Sequence, residues 1–137
     1  MPGSFDSLML RVVLAPLVAG LQLFAVYVLL HGHYGPGGGF VAGILIAAGM
    51  ILPRLAGREP HGFAVTPRRA AGLAVAGIFL FASIAAASML VGRAPLDYAA
   101  LPIGLTDAAR RSMGILLIEV GVTMAVSGAM VAIFCPA

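Results

Sequence analysis

Four long apolar segments constrain this chain more than any other feature of its sequence. They cover about residues 8–30, 38–55, 70–91 and 113–134. A bilayer span needs about 20 apolar residues, and the first, third and fourth segments reach that length. None has the alternating polar pattern or the length of about 10 residues that is typical of outer-membrane strands. We therefore predict an all-α integral membrane protein whose residues 1–137 form a single domain of four transmembrane helices.

The scarcity of charge supports this class. Only 9% of the residues are charged, against about 25% in soluble domains. The basic residues are all arginines, and they lie near the ends of the apolar segments or outside them. They form no basic stripe interleaved with aromatics, so we expect no nucleic-acid partner. With four spans, five arginines lie on the side of the termini and three on the other. This bias predicts that both termini are cytoplasmic.

The second segment is short, and an unusual stretch, His31–Phe40, precedes it. Pro36 has no N–H group and disfavours a helical Gly35. The glycines at 37–39 permit positive φ and close backbone approach. Such a sequence can place non-helical backbone at or near membrane depth. Two alternatives remain open for the second segment, a full span that is already helical at its glycines, or a re-entrant half-helix. The N–H groups at the helix start could hold an anion or a carboxylate from a partner chain.

Glu119 is the one charged residue inside the fourth segment. An ionisable group at that depth costs about 2.5–3.5 kcal/mol on insertion scales, so it should face protein or water. Thr123 and Ser127 follow at helical spacing and form a polar stripe with it. This stripe suits a proton or cation path. The alternative is that Glu119 hydrogen-bonds a neighbouring helix or subunit and only holds the assembly together.

Small residues form a second stripe on the fourth segment. Gly114, Gly121 and Gly128 repeat at helical spacing, and Gly39 and Gly43 form a similar pair in the second segment. Small residues allow helices to approach closely in lipid, so we predict that these positions pack helices. The chain also lacks the inverted repeats of secondary transporters. It is therefore expected to be one subunit of a larger membrane complex.

Few residues of the chain suggest metal binding or catalysis. His31 and His33 could relay protons or bind a metal, but the third histidine, His61, lies in another loop. We expect neither a metal site nor a cofactor. The single cysteine, Cys135, cannot form an intramolecular disulfide. No nucleophile–base arrangement, P-loop or dinucleotide-binding motif is present, so we do not expect an enzyme.

One stretch resembles a known family. The pattern Gly-His-x-x-Pro-Gly-Gly-Gly-Phe-x-x-Gly is similar to that of the MnhB/MrpB subunits of Mrp-type multisubunit Na⁺/H⁺ antiporters. The residues that match are Gly32, His33, Pro36, Gly37, Gly38, Gly39, Phe40 and Gly43. Tyr34 departs from the family, where a polar residue is expected. Chain length, four spans and the position of Glu119 in the last span are similar as well.

The resemblance implies a place in a hetero-oligomeric complex of the bacterial inner (plasma) membrane that exchanges a monovalent cation, Na⁺, for H⁺. The partners would be the other subunits and the lipid bilayer. The family's main proton-pumping sites lie in its large subunits, so this subunit would support assembly or line part of a cation or proton path. Residues on that path would be Glu119, Thr123, Ser127 and His33. The alternative is a structural interaction subunit of a related redox-driven complex, of the membrane-bound hydrogenase type, without a conduction role.

Overall fold

The computed structural model describes residues 8–32, 38–57, 65–90, 94–98 and 106–134, and the described part of the chain is helical apart from short turns. Each of its four helices is long and apolar enough to cross a membrane. The predicted class, an all-α membrane protein with four spans, is confirmed. The helices are α1 (Leu8–His31), α2 (Gly38–Leu55), α3 (Pro67–Leu90) and α4 (Asp107–Phe134).

The short second segment forms one continuous helix. α2 begins at Gly38, so the glycines at its start are helical and the re-entrant half-helix is not observed. Its 18 residues rise about 27 Å at 1.5 Å per residue. This is close to the hydrocarbon thickness of about 30 Å. Gly38 has a φ of 39°, a backbone conformation that a glycine adopts without steric cost.

Threonine caps extend α3 and α4 beyond the predicted spans. α4 begins at Asp107 rather than near residue 113 because the Thr106 hydroxyl accepts a bond from the Ala109 N–H at 3.4 Å. The Thr106 carbonyl also accepts the Arg110 N–H at 2.9 Å. At α3, the Thr66 hydroxyl accepts the Arg69 N–H at 3.4 Å. Both are N-cap arrangements that satisfy donors at a helix start.

The helices lie in an open row rather than a closed ring. α3 packs most extensively on α4, α2 packs on both α4 and α1, and α1 meets α4 at only a few positions. The order across the row is therefore α1, α2, α4, α3. A small apolar core of Ala47, Ala70 and Val131 joins α2, α3 and α4.

Glycines set the close packing between α3 and α4. A Cβ atom added at Gly77 would lie against the backbone of Gly121 and Ala125. One added at Gly128 would lie 2.5 Å from the nitrogen of Ala74. Gly121 and Gly128 therefore lie at the contact between α3 and α4, within the chain.

Gly114 packs differently from the other two glycines of its stripe. A Cβ at Gly114 would lie 2.7–2.9 Å from atoms of Tyr98. Tyr98 belongs to the connection between α3 and α4, so at Gly114 a loop, and not another helix, covers the glycine. The same connection is tied to α3 by Ser88, whose hydroxyl oxygen accepts the Leu96 N–H at 2.9 Å.

A polar contact within the membrane region links α1 to α2. Gln22 donates from Nε2 to the carbonyl oxygen of Ile46 at 3.1 Å. Its side chain lies over Gly49, where an added Cβ would collide with the amide group. Any residue with a side chain at position 49 would therefore displace the Gln22 amide from the Ile46 carbonyl.

Candidate functional site around Glu119

The side chain of Glu119 lies between the end of α1 and the start of α2. A Cβ added at Gly32 would be 2.5 Å from Oε1 and 2.8 Å from Oε2 of Glu119. One added at Gly38 would be 2.5 Å from Oε1. The Oε2 atom is buried from solvent. The carboxylate therefore occupies a cradle that exists because both helix ends lack side chains, and we call Gly32 and Gly38 the α1–α2 junction.

Close contact between α2 and α4 positions the cradle. At Gly39 an added Cβ would lie against the backbone carbonyl group of Glu119, and at Gly43 it would lie 3.0 Å from the carbonyl oxygen of Thr123. The two helices thus run parallel and nearly touch at their backbones. The predicted pair Gly39 and Gly43 forms the packing face, and it brings the start of α2 to the carboxylate.

Thr123 links the same two helices by a hydrogen bond. Its Oγ1 lies 2.9 Å from the Gly39 carbonyl oxygen and 2.8 Å from the Glu119 carbonyl oxygen. The hydroxyl has a single proton, so it donates to one of these acceptors at a time. The side chain is 5% exposed. Thr123 therefore serves the helix contact directly beneath the carboxylate.

Ser127 lies one turn further along α4. Its hydroxyl donates to the Thr123 carbonyl oxygen at 2.7 Å, and the residue is buried. The predicted stripe of Glu119, Thr123 and Ser127 is present on one face of α4. The hydrogen bonds that its two hydroxyls donate, however, run to backbone carbonyls rather than from side chain to side chain.

Electrostatics favour a carboxylate at this place. The start of an α-helix carries free N–H groups and a partial positive charge. The sequence indicated that the start of α2 could hold a carboxylate of a partner chain. In the structure a carboxylate of the same chain, Glu119, lies there. An ionised carboxylate is an acceptor-only group, so chemically the cradle can bind a proton or a cation at an oxygen.

The other predicted site residues are only partly placed. His33, Pro36 and Gly37 lie outside the described residues, as does His61. Phe40, two residues after Gly38, is 57% exposed. His31 stacks on Tyr27, with ring centroids 4.3 Å apart. Over the described ranges, no group of three His, Cys, Asp or Glu side chains could hold a metal ion.

Comparison with known proteins identifies the family. The family model for a domain related to the MnhB subunit of Na⁺/H⁺ antiporter matches residues 9–132, which include parts of all four helices. The chain belongs to this MnhB family. One curated relative, the B subunit of the Na⁺/H⁺ antiporter of Bacillus subtilis (strain 168), is 33% identical over 114 residues. That match covers 77% of this chain and 80% of the relative. No solved structure matches the chain.

Membership of the MnhB family favours one of the two complexes that the sequence left open, the antiporter over the redox-driven complex. Both comparisons name an antiporter subunit, and neither names a redox-driven complex, so that alternative is not favoured. Both names describe a component of a transport system. The family resemblance inferred from the glycine motif is thereby confirmed.

Sequence reasoning missed how close the motif and Glu119 are. In the sequence, the glycines of the motif and the acidic residue of the last span are separate features. The structure brings them into contact at Gly32, Gly38 and Gly39. The available signal was the pairing of a single acidic residue in one span with a run of glycines, since a buried carboxylate needs space and donors.

Proposed function

We propose that this MnhB-family chain is a small membrane subunit of a multisubunit monovalent cation (Na⁺)/proton antiporter and that Glu119 is the residue through which it takes part in ion movement. The relationship to the B subunit of a Na⁺/H⁺ antiporter supports the first part. The second part rests on one observation, a carboxylate in a glycine cradle at the start of a helix. Thr123 then acts as a positioning residue that holds α4 against α2, whereas the Ser127 hydroxyl bonds within α4.

The proposed setting follows from the charge pattern and from the relative. The subunit forms one membrane domain in a bacterial inner membrane, with both termini cytoplasmic and other subunits of the complex packed on its open faces. Arg54, Arg68 and Arg69 mark the cytoplasmic side. Arg110 and Arg111 at the start of α4 mark the opposite side. Fusing a reporter enzyme that is active in only one compartment to each terminus tests this orientation.

Two variants separate the charge of the Glu119 side chain from its shape. Glu119→Gln fills the cradle with nearly the same volume, whereas Glu119→Asp keeps the charge on a shorter side chain. We expect Glu119→Gln complexes to assemble on native gels and to lose Na⁺-dependent proton exchange in inverted vesicles. Glu119→Asp should retain part of the exchange.

Two other results would argue against this role. If Glu119→Gln complexes assemble and exchange ions at the wild-type rate, Glu119 takes no part in ion movement. If Glu119→Gln prevents assembly while Glu119→Asp does not, the carboxylate holds the complex together. The subunit would then be an interaction component of the antiporter.

A further inference from the structure

We propose that one flank of α1, marked by Gln22, is covered in the assembled complex by a transmembrane helix of another subunit, which donates a hydrogen bond to Oε1 of Gln22. We call Ala15, Ala19, Gln22 and Val26 the Gln22 face. The proposal rests on the part of the proposed function that places the chain in a multisubunit complex. It does not depend on the role of Glu119.

Gln22 lies near the middle of the membrane. It is about 15 Å along α1 from Val12, where the apolar span begins, and about 14 Å from the end of the helix. The carbonyl group of Ile46, which accepts the Gln22 amide, lies in α2. Ile46 is about 12 Å from the start of α2 and about 14 Å from its end. Both helices therefore place the amide deep within a hydrocarbon layer of about 30 Å.

The carboxamide of Gln22 has more hydrogen-bonding capacity than this chain uses. It has one acceptor oxygen and two N–H donors. Its Nε2 donates to the carbonyl oxygen of Ile46 at 3.1 Å, and because that partner is an acceptor, the other end of the amide is the oxygen. Among the described residues no donor is bonded to Oε1, and this oxygen is not fully buried. An accessible acceptor therefore lies at mid-membrane depth.

This acceptor requires a donor from a protein. Lipid tails offer none, and a polar group left unpaired in hydrocarbon is strongly unfavourable. α1 lies at the end of the row and meets α4 at only a few positions. It is also the least buried of the four helices. The donor is therefore assigned to a helix outside this chain.

The residues beside Gln22 leave room for such a helix. Ala15 and Ala19 precede Gln22 by seven and three residues, and Val26 follows it by four, so all four share one flank of α1. Ala15, Ala19 and Val26 are exposed, whereas Ala25, on the neighbouring flank, is fully buried. Small residues allow helices to approach closely in lipid. The alanines permit the approach, and the Gln22 oxygen determines the depth at which the partner's donor lies.

The donor on the partner helix is uncharged. A lysine or arginine at mid-membrane is costly and needs a charged partner, which the carboxamide does not provide. Serine, threonine, asparagine and glutamine side chains form hydrogen bonds between membrane helices. We assign the donor to a different subunit, because the family is that of one subunit of an antiporter. A second copy of this chain is the competing occupant.

Photocrosslinking in the assembled complex tests the Gln22 face. The photoreactive residue p-benzoylphenylalanine replaces Val26, and its adducts are identified by mass spectrometry. Phe24 is the matched control position, since it is 54% exposed and Val26 is 49% exposed. The two positions differ by about 200° around the helix. Each variant is first checked for assembly on native gels, and Ala15 replaces Val26 as the labelled position if the Val26 variant does not assemble.

We expect Val26→p-benzoylphenylalanine to capture a transmembrane segment of another subunit that carries a serine, threonine, asparagine or glutamine within two helical turns of the captured residue. The control at Phe24 should not capture that segment. The proposal is overturned by adducts with lipid alone, by adducts with a second copy of this chain, by the absence of adducts, or by a captured segment without such a donor. Equal capture of the same segment from both positions overturns it as well, since one helix cannot cover both flanks.

A double-mutant cycle separates the bond to the partner from the bond to Ile46. The donor in the captured segment is replaced by an apolar residue of similar shape, and Gln22→Met removes the carboxamide but keeps an unbranched side chain. Dissociation is read as the fraction of complex intact on native gels at rising detergent concentration. With Gln22 present, we expect the donor change to shift dissociation roughly threefold, the effect of an average hydrogen bond between membrane helices. Beside Gln22→Met it should have almost no effect, and equal shifts in both backgrounds would overturn the proposal.

The outcome is distinguishable from that of the proposed function. A captured partner helix together with normal exchange by Glu119→Gln would keep the Gln22 face and reject the ion-binding role. Lipid adducts alone, together with lost exchange by Glu119→Gln, would reject the face and keep that role. A chain that migrates without other subunits on native gels would reject both the face and the multisubunit assembly.

Discussion

The hydroxyl group of Thr123 lies 2.9 Å from the carbonyl oxygen of Gly39, which joins α4 to the first turn of α2. The backbone of Glu119 in α4 also lies against Gly39. A hydrogen bond and a backbone contact therefore fix α2 at the level where the Glu119 carboxylate enters its cradle. The packing of these two helices and the placement of the acid depend on the same few atoms.

Gly39→Ala should separate α2 from α4. The new Cβ would lie 2.8 Å from the Cα atom of Glu119 and still closer to its carbonyl oxygen. Backbone atoms cannot swing aside, and overpacking of this kind costs about 1–3 kcal/mol. We expect the complex to dissociate at a lower temperature, measured as the fraction intact on native gels after heating.

Gly20→Ala is the matched control for this substitution. Gly20 is also helical, but a Cβ added there would meet nothing within 4 Å. Alanine is the better helix former by about 1 kcal/mol, so the control should be neutral or slightly stabilising. Equal loss of heat resistance in both variants would show that the contact at Gly39 is not the cause.

Thr123→Val should weaken the α2–α4 contact without leaving a cavity. Valine keeps the shape of threonine but cannot donate to Gly39. Hydrogen bonds between membrane helices contribute on average about 0.6 kcal/mol, with values up to about 1.7 kcal/mol. We expect a modest fall in the dissociation temperature of the complex, and Thr123→Ser should restore it.

Ser127→Ala provides the comparison for a hydroxyl that bonds within its own helix. The Ser127 hydroxyl lies within hydrogen-bond distance of the carbonyls of Thr123 and Met124, both in α4. Its loss should therefore affect the complex less than Thr123→Val. The reverse order would mean that the bond to Gly39 contributes little to holding the helices together.

The sequence predicted the four spans because about 20 predominantly apolar residues in a row are typical of a helix that crosses a bilayer. For α2 the predicted and observed bounds agree, at Gly38 and Leu55. The predicted fourth span begins near residue 113, six residues after the start of α4, since Arg110 and Arg111 lie outside any apolar window. The cap at Thr106 nevertheless drives helix formation through them.

The order and heights of the helices were beyond sequence reasoning. Gly72 and Gly77 look alike in the sequence, but a Cβ at Gly72 would meet open space and one at Gly77 would meet the backbone of α4. Which glycine is packed depends on how far α3 slides along α4, and this is a property of the whole interface. For the same reason the sequence singles out the acidic residue at position 119 but does not reveal its cradle at Gly32.

Gln22 and Gly49 should show strong coupling in a double-mutant cycle. In Gly49→Ala the new Cβ would collide with the Gln22 amide and displace it from the Ile46 carbonyl. We expect a loss of about 0.6–1.7 kcal/mol, the value of a hydrogen bond between membrane helices. In the Gln22→Ala background the collision is absent, so Gly49→Ala should then cost almost nothing.

The cycle is read from the heat resistance of the assembled complex for the wild type, the two single variants and the double variant. Contacting residues give interaction energies of about 0.5–3 kcal/mol. Additive losses in the double variant would instead mean that Gly49→Ala acts on the packing of α2 and not through Gln22.

Leu96 is the one described non-glycine residue with a positive φ, 66°. This left-handed conformation costs an L-residue roughly 1–2 kcal/mol, and here the bond from its N–H to the Ser88 hydroxyl holds it. Leu96→Gly removes the strain and should leave the connection between α3 and α4 at least as well ordered as in the wild type. Leu96→Val should disorder it, because a β-branched residue tolerates positive φ poorly.

Tryptic cleavage within residues 91–111 of the assembled complex, in vesicles that expose this connection, measures the difference. Cleavage should be fastest for Leu96→Val and no faster than wild type for Leu96→Gly. Faster cleavage of Leu96→Gly would mean that the leucine side chain, 39% exposed, anchors the connection more than its backbone strains it.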